Sequence, residues 1–235
     1  MILHETMAFS VQGTPLGLVD VQCWARDAKQ FGKKKTRHQR PIEDKESYKW
    51  LRSYQKLAEV QRRCPESTLI SLGDCEADIY ELFKLALRDP AGPRLLVRAS
   101  HNRALSGEQG HLWEALSQTE VSGAQQVAVP RKGQRPARVA HLAVRFARVR
   151  LKPPRDKRQL KELSVWAILA KEEAPEGVEP LEWMLLSTME VAGFEQAVEK
   201  IAWYTQRWGI EAYHRILKSG NWGPPSASRP AWWWT

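Results

Sequence analysis

The stretch Ser67-Thr68-Leu69-Ile70-Ser71-Leu72-Gly73-Asp74-Cys75-Glu76-Ala77-Asp78-Ile79 decides the fold class. Its apolar run, Leu69-Ile70-Ser71-Leu72, has the length and texture of a buried strand. The run stops at Asp74, and a helical pattern through Ile79, Leu82, Phe83, Ala86 and Leu87 follows at once. A strand that hands over to a helix is the grammar of an α/β domain, and such sheets collect ligands at the C-terminal ends of their strands. Asp74 therefore has two readings: a metal-binding carboxylate, or an N-cap of the helix behind it, a position that Asp favours.

Working outward, residues 1–26 read as a β-hairpin: His4 to Gln12, a turn at Gly13-Thr14-Pro15, then Leu16 to Trp24. Lys33 to Arg40 is a basic loop. From Asp44 a helix follows, with Tyr48, Leu51, Tyr54, Leu57, Ala58 and Val60 near a 3.6-residue period up to Arg63, and Pro65 ends it. Arg94 to Arg98 is the next strand. From about residue 100 to 190 the texture changes to short strands split by Gly, Pro and basic clusters: Gln125 to Val129, Val139 to Leu151, Leu163 to Leu169 and Trp183 to Ser187. Phe194 to Lys218 restores one long helical period, and 221–235 has none. The expected organisation is an α/β core over 1–99, a β-rich insertion over 100–190, a core helix over 191–220 and an irregular tail over 221–235.

The chain has 235 residues, enough to bury a real core, and its 43% hydrophobic and 27% charged residues exclude disorder of the whole chain. Thirty-six Lys and Arg against 27 Asp and Glu give a net charge of +9, which favours polyanionic partners, nucleic acid first. Much of the excess lies between Arg131 and Arg158, broken only by Asp156, and a second basic run spans Lys29 to Arg40. A solvated, solubilising surface is the bland alternative. Cys23, Cys64 and Cys75 have no paired spacing, so neither a disulfide framework nor a zinc site is expected, and a reducing cytoplasm fits. No stretch reads as a signal peptide or a bilayer span.

The helix over Phe194–Lys218 carries the second constellation. Tyr204, Arg207, Glu211 and Lys218 are offset by three, seven and fourteen positions. At about 100° per residue they project from one stripe. Val198, Ile201, Trp208, Ala212 and Ile216 form an apolar face beside it, able to seat the helix on a core while the stripe borders a cleft. The alternative is a surface face laced by Arg207–Glu211 and Glu211–Arg215 pairs, each contributing a few tenths of a kcal/mol. Aromatics among Arg and Lys are also what stacking on bases and gripping phosphates require.

Together these two segments resemble the DDE transposases of the insertion-sequence-four family, of transposon-five type. The family's helix signature is Tyr, two residues, Arg, three residues, Glu, six residues, Lys, and Tyr204, Arg207, Glu211 and Lys218 fit it without a gap. Asp74-Cys75-Glu76-Ala77-Asp78-Ile79 resembles the second-aspartate motif, with Cys75 where Arg is more usual. The resemblance runs from about Leu3 to Gly220. It implies an RNase H-like catalytic core with a β-rich insertion, with Asp74 and Glu211 as the second and third acids holding Mg²⁺ or Mn²⁺. It further implies that Tyr204, Arg207 and Lys218 hold phosphates, with Arg215 and Arg98 contacting DNA. Trp183 would fill the space of a flipped base and Trp208 would stack near the transposon end. The partner implied is double-stranded DNA. The first strand and first Asp of the family have no counterpart: Asp20, Asp27 and Asp44 all sit at the wrong elements. The family's DNA-end-binding domain and dimerisation region have none either. The expectation is a truncated transposase, inactive alone, with a non-catalytic DNA-binding or interfering fragment as the alternative. A third reading is a nuclease that recruits its missing acid from a second chain.

Overall fold

The computed structural model describes residues 2–25, 41–107, 110–131, 136–173, 177 and 179–219. The basic run from Lys29 to Arg40 and the tail 221–235 lie outside the described residues. The fold is mixed α/β, and strand alternation explains how it is layered. In β4 (Arg94–Arg98), Leu95 and Val97 point into one core while Leu96 points into another. In β8 (Glu182–Ser187), Met184 and Leu186 join the first, and Trp183 and Leu185 the second. Side chains of period two thus give a sheet apolar on both faces, which must be covered on both. Residues of α1 (Tyr48–Arg63), α2 (Tyr80–Ala86) and α3 (Leu112–Ser117) fill the first core, and α4 (Phe194–Thr205) fills the second.

The sheet has six strands in the order β3-β4-β8-β7-β6-β5, where β3 is Ile70–Gly73, β5 Gly123–Val129, β6 Arg138–Leu151 and β7 Leu163–Glu172. Only β3 and β4 run parallel; the other pairs are antiparallel. The shift of texture near residue 100 does not interrupt the sheet, because β8 hydrogen-bonds directly to β4. The strand reading of Leu69–Leu72 holds, but Ile70 and Leu72 are only half-buried, since β3 is the edge strand. A separate two-stranded sheet, β1 (Ile2–Phe9) and β2 (Pro15–Trp24), forms the hairpin. Buried Gln22 anchors it to α1, donating to Lys49 O at 3.0 Å and Ser53 Oγ at 2.9 Å.

Two helical expectations change. The helix after Asp74 begins only at Tyr80, behind a single 3₁₀ turn over Cys75–Ala77. Asp78 interrupts it: its wholly buried carboxylate accepts from the backbone N–H groups of Ser100 (2.8 Å) and His101 (3.1 Å) and from Arg103 Nε (2.9 Å). The helix over Phe194–Lys218 is two helices, α4 and α5 (Arg207–Ser219), meeting at Gln206. Bonds of the tighter i→i+3 kind, Gln206 to Trp203 O and Gly209 to Gln206 O, mark the junction. The hairpin presses on it from outside. A Cβ on Gly209 would lie 2.9 Å from the Phe9 ring, and one on Gly13 would lie 2.5 Å from Gln206 Oε1. The apolar seating face ends with this junction: Ile201 is buried, whereas Ala212 and Ile216 on α5 are exposed.

Candidate functional site

The β1–β2 hairpin and the β3 edge of the main sheet stand on either side of a cavity of about 500 Å³. β1 and Thr68–Leu72 supply two of its walls. Trp50, Ser53 and Leu57 of α1 supply a third, and Trp203, Arg207, Ile210, Glu211 and His214 a fourth. Asp74 and Glu76 line it where β3 ends. Both acids singled out in the sequence, Asp74 and Glu211, therefore border one space.

Asp74 caps the 3₁₀ turn, its Oδ1 accepting from Glu76 N at 2.9 Å, as the N-cap reading expects. Capping uses one oxygen. Among the described residues the other carboxylate oxygen has no partner, so the cap does not exclude a second role. Neighbouring Glu76 is held by Lys49 Nζ at 2.7 Å. Across the cavity, Glu211 Oε1 pairs with Arg207 Nη2 at 2.8 Å. The Arg207 guanidinium lies 5.8 Å from the Tyr204 ring centroid. Burial works to lower the pKa of Arg207, but Tyr204 and Glu211 outweigh it and the result is a rise. Burial raises the pKa of Tyr204, opposed by Arg207 and Arg98. Arg207 is thus a fixed cation, its position set by an aromatic face and a carboxylate.

The remaining residues of the constellation fall in different places. Tyr204, 2% exposed, and Trp183, 3% exposed, are core side chains whose rings meet edge to face at 5.2 Å. Trp208 continues the stack, 5.7 Å from Trp183, and is half-buried. Trp183 is thus a strand residue of the second core. Arg98 ends β4 and donates from Nη2 to Glu182 O at 3.3 Å. Arg215 is exposed on α5. Lys218 is in the last turn of α5, and its side chain lies outside the described residues. Because the helix is interrupted at Gln206, Tyr204 belongs to α4 and the others to α5.

Sequence reasoning missed Asp78, whose partners come from a loop more than twenty residues on. It also missed His4 and Trp50, whose rings meet at 4.7 Å beside the cavity. Burial, helped by Lys49, lowers the His4 pKa to about 4. Glu5 and His214, 2.9 Å apart, tie β1 to α5. No local signal marks these pairs, because each joins segments distant in the chain.

Among the described residues no three His, Cys, Asp or Glu side chains gather to hold a metal ion. Four carboxylates line the cavity, but Glu5, Glu76 and Glu211 pair with His214, Lys49 and Arg207, which leaves too few free donors to clamp two divalent ions. Outward-facing Arg148, Arg150 and Lys152 on and beyond β6 are exposed, alternating with buried Val149 and Leu151. No protein-family model matches the chain. No helix among the described residues is long and apolar enough to cross a membrane.

Proposed function

We propose that this chain is a large part of the RNase H-like core of a DDE transposase, a DNA strand-cleaving and strand-transferring enzyme, and that it does not cut DNA alone. The observation that supports the reading is that Asp74 and Glu211, 137 positions apart (211 − 74), line one cavity, with Tyr204 and Arg207 of the same motif beside them. In this reading Asp74 and Glu211 are metal-binding carboxylates. Mg²⁺ or Mn²⁺, bound there, would supply Lewis acidity for in-line attack on a phosphodiester. Arg207, held by Tyr204 and Glu211, positions a phosphate oxygen. Lys218 and Arg215 extend the contact along the backbone of double-stranded DNA, and Arg98 and Trp208 border the same aromatic stack. Glu5 and Glu76 also border the cavity but pair with His214 and Lys49, so among the described residues Asp74 and Glu211 lack the further free carboxylate that a two-metal clamp requires.

The exposed stripe of Arg148, Arg150 and Lys152 favours a second reading, a DNA-binding fragment without chemistry that interferes with an intact transposase. One pair of experiments tests both. Filter binding to duplex DNA across a salt series is expected to show affinity falling steeply with salt, as phosphate neutralisation requires. Incubation of supercoiled DNA with Mg²⁺ or Mn²⁺ is expected to give no nicking. Nicking that disappears in Asp74→Ala would overturn the claim of inactivity, and salt-insensitive or absent binding would overturn the DNA assignment.

A further inference from the structure

The cavity is bounded by two strand edges, and this sets it apart from an ordinary ligand pocket. Among the described residues β1 pairs only with β2, and β3 only with β4. In an antiparallel pair alternate residues direct N–H and C=O away from the partner, so β1 presents a row of unused backbone groups along Ile2–Phe9. β3 presents another along Ile70–Gly73. Both strands line the same cavity. Unpaired backbone groups facing a partly enclosed space are costly, and the remedy is a strand.

A second observation is independent of the backbone. Four buried side-chain polar atoms among the described residues have no hydrogen-bond partner: His4 Nε2, Trp50 Nε1, Arg207 Nε and Ser106 Oγ. Three of these four belong to residues that line this cavity. The Trp50 indole and the Arg207 guanidinium can only donate, so what they lack is an acceptor, and peptide carbonyls are acceptors. A cavity of this volume would also suit a small molecule. A small molecule, however, does not satisfy two rows of strand edge.

We propose that this cavity is an acceptor slot for one extended polypeptide strand, inserted between β1 and β3 so that the hairpin and the six-stranded sheet become one continuous sheet. The occupant is defined by the walls. α1, from the first core layer, contributes Trp50 and Leu57 on one face. α4 and α5 contribute Trp203 and Ile210 on the other. A strand covered on both faces is apolar and β-branched where it meets these side chains, and polar at the end that meets Asp74, Arg207 and Glu211. β3 contributes four residues of edge and β1 eight, so the matching segment has about four to eight residues, at about 3.3 Å each.

The test uses the full chain, without DNA or metal, so its failure leaves the transposase reading standing and the failure of that reading leaves this one standing. The probe is a water-soluble peptide with a core of valine and isoleucine about six residues long and a lysine at each end. The control is the same peptide with proline at the centre, which cannot donate to a ladder. Hydrogen exchange is followed by mass spectrometry. Saturating peptide is expected to slow exchange at least roughly tenfold in both Ile2–Phe9 and Ile70–Gly73, with no change in β7, and the proline peptide is expected to do nothing. The proposal is overturned by protection at neither edge, at one edge only, or equally by the proline peptide. It is also overturned if both edges are already protected without peptide in a dimer of the chain, because a second copy would then be the occupant.

Discussion

The six-stranded sheet and the β1–β2 hairpin follow the same alternation of side chains, yet they end in opposite conditions. In the sheet both faces are covered, and β4, β7 and β8 contribute residues such as Leu96, Ile168 and Leu185 that are wholly buried. In the hairpin no residue of β1 is fully buried, and Val11, Leu16, Leu18 and Val21 stand exposed. A hairpin alone is marginal in water, so this one depends on its docking to α1 and to the α4–α5 junction. The site lies where the well-covered region meets the poorly covered one. The rigid side fixes Asp74, and the docked side closes the cavity over Glu211.

That contrast can be broken from the sheet side first. Phe83 is 0% exposed, and Phe83→Ala should cost about 3–5 kcal/mol in a urea titration, unfolding the sheet and the hairpin together. A loss below 1 kcal/mol would show that the first core is not the organising one. From the hairpin side, Gln22→Ala removes the bonds to Lys49 O and Ser53 Oγ and should cost about 1–3 kcal/mol. Its signature is faster hydrogen exchange in Ile2–Phe9 with β7 unchanged. Equal acceleration in both would mean that the two regions are not separable.

The smallest expected effect is a pH dependence. Burial and Lys49 hold the His4 pKa at about 4, below its ordinary 6.5, so His4 favours folding when neutral. Its contribution is present above pH 6.5 and is lost as pH falls from 6.5 through about 4, because the unfolded chain takes up the proton first. Stability measured across that window should decline less steeply in His4→Gln than in the parent protein. Identical slopes would remove His4 from the account.

Elements with strong local patterns were legible from sequence: the helix at 48–63, the strand Arg94–Arg98 and the four strands between 123 and 187 appear where their patterns place them. α3 was not legible, since its six residues, Leu112–Ser117, are too few to show a period within a β-rich stretch. The break at Gln206 was not legible either. What packs against it is tertiary: Phe9, on a strand 200 positions before Gly209 (209 − 9), approaches that glycine closely. The same limit applies to the site. The sequence marked Asp74, Arg207 and Glu211 by type and spacing, but the cavity between them is made by β1, His4 and Trp50, which carry no local sign of that role.

If the chain is the transposase core proposed above, Asp74 and Glu211 face a common cation. Fe²⁺ substituted for Mg²⁺, with ascorbate and peroxide, generates hydroxyl radicals that cut the polypeptide beside the bound ion. The predicted result is cleavage in two places, around residues 72–76 and around residues 207–211, with both cuts suppressed by excess Mg²⁺ and both lost in either Asp74→Ala or Glu211→Ala. Cleavage at only one of these places, or a pattern indifferent to the two substitutions, would contradict it.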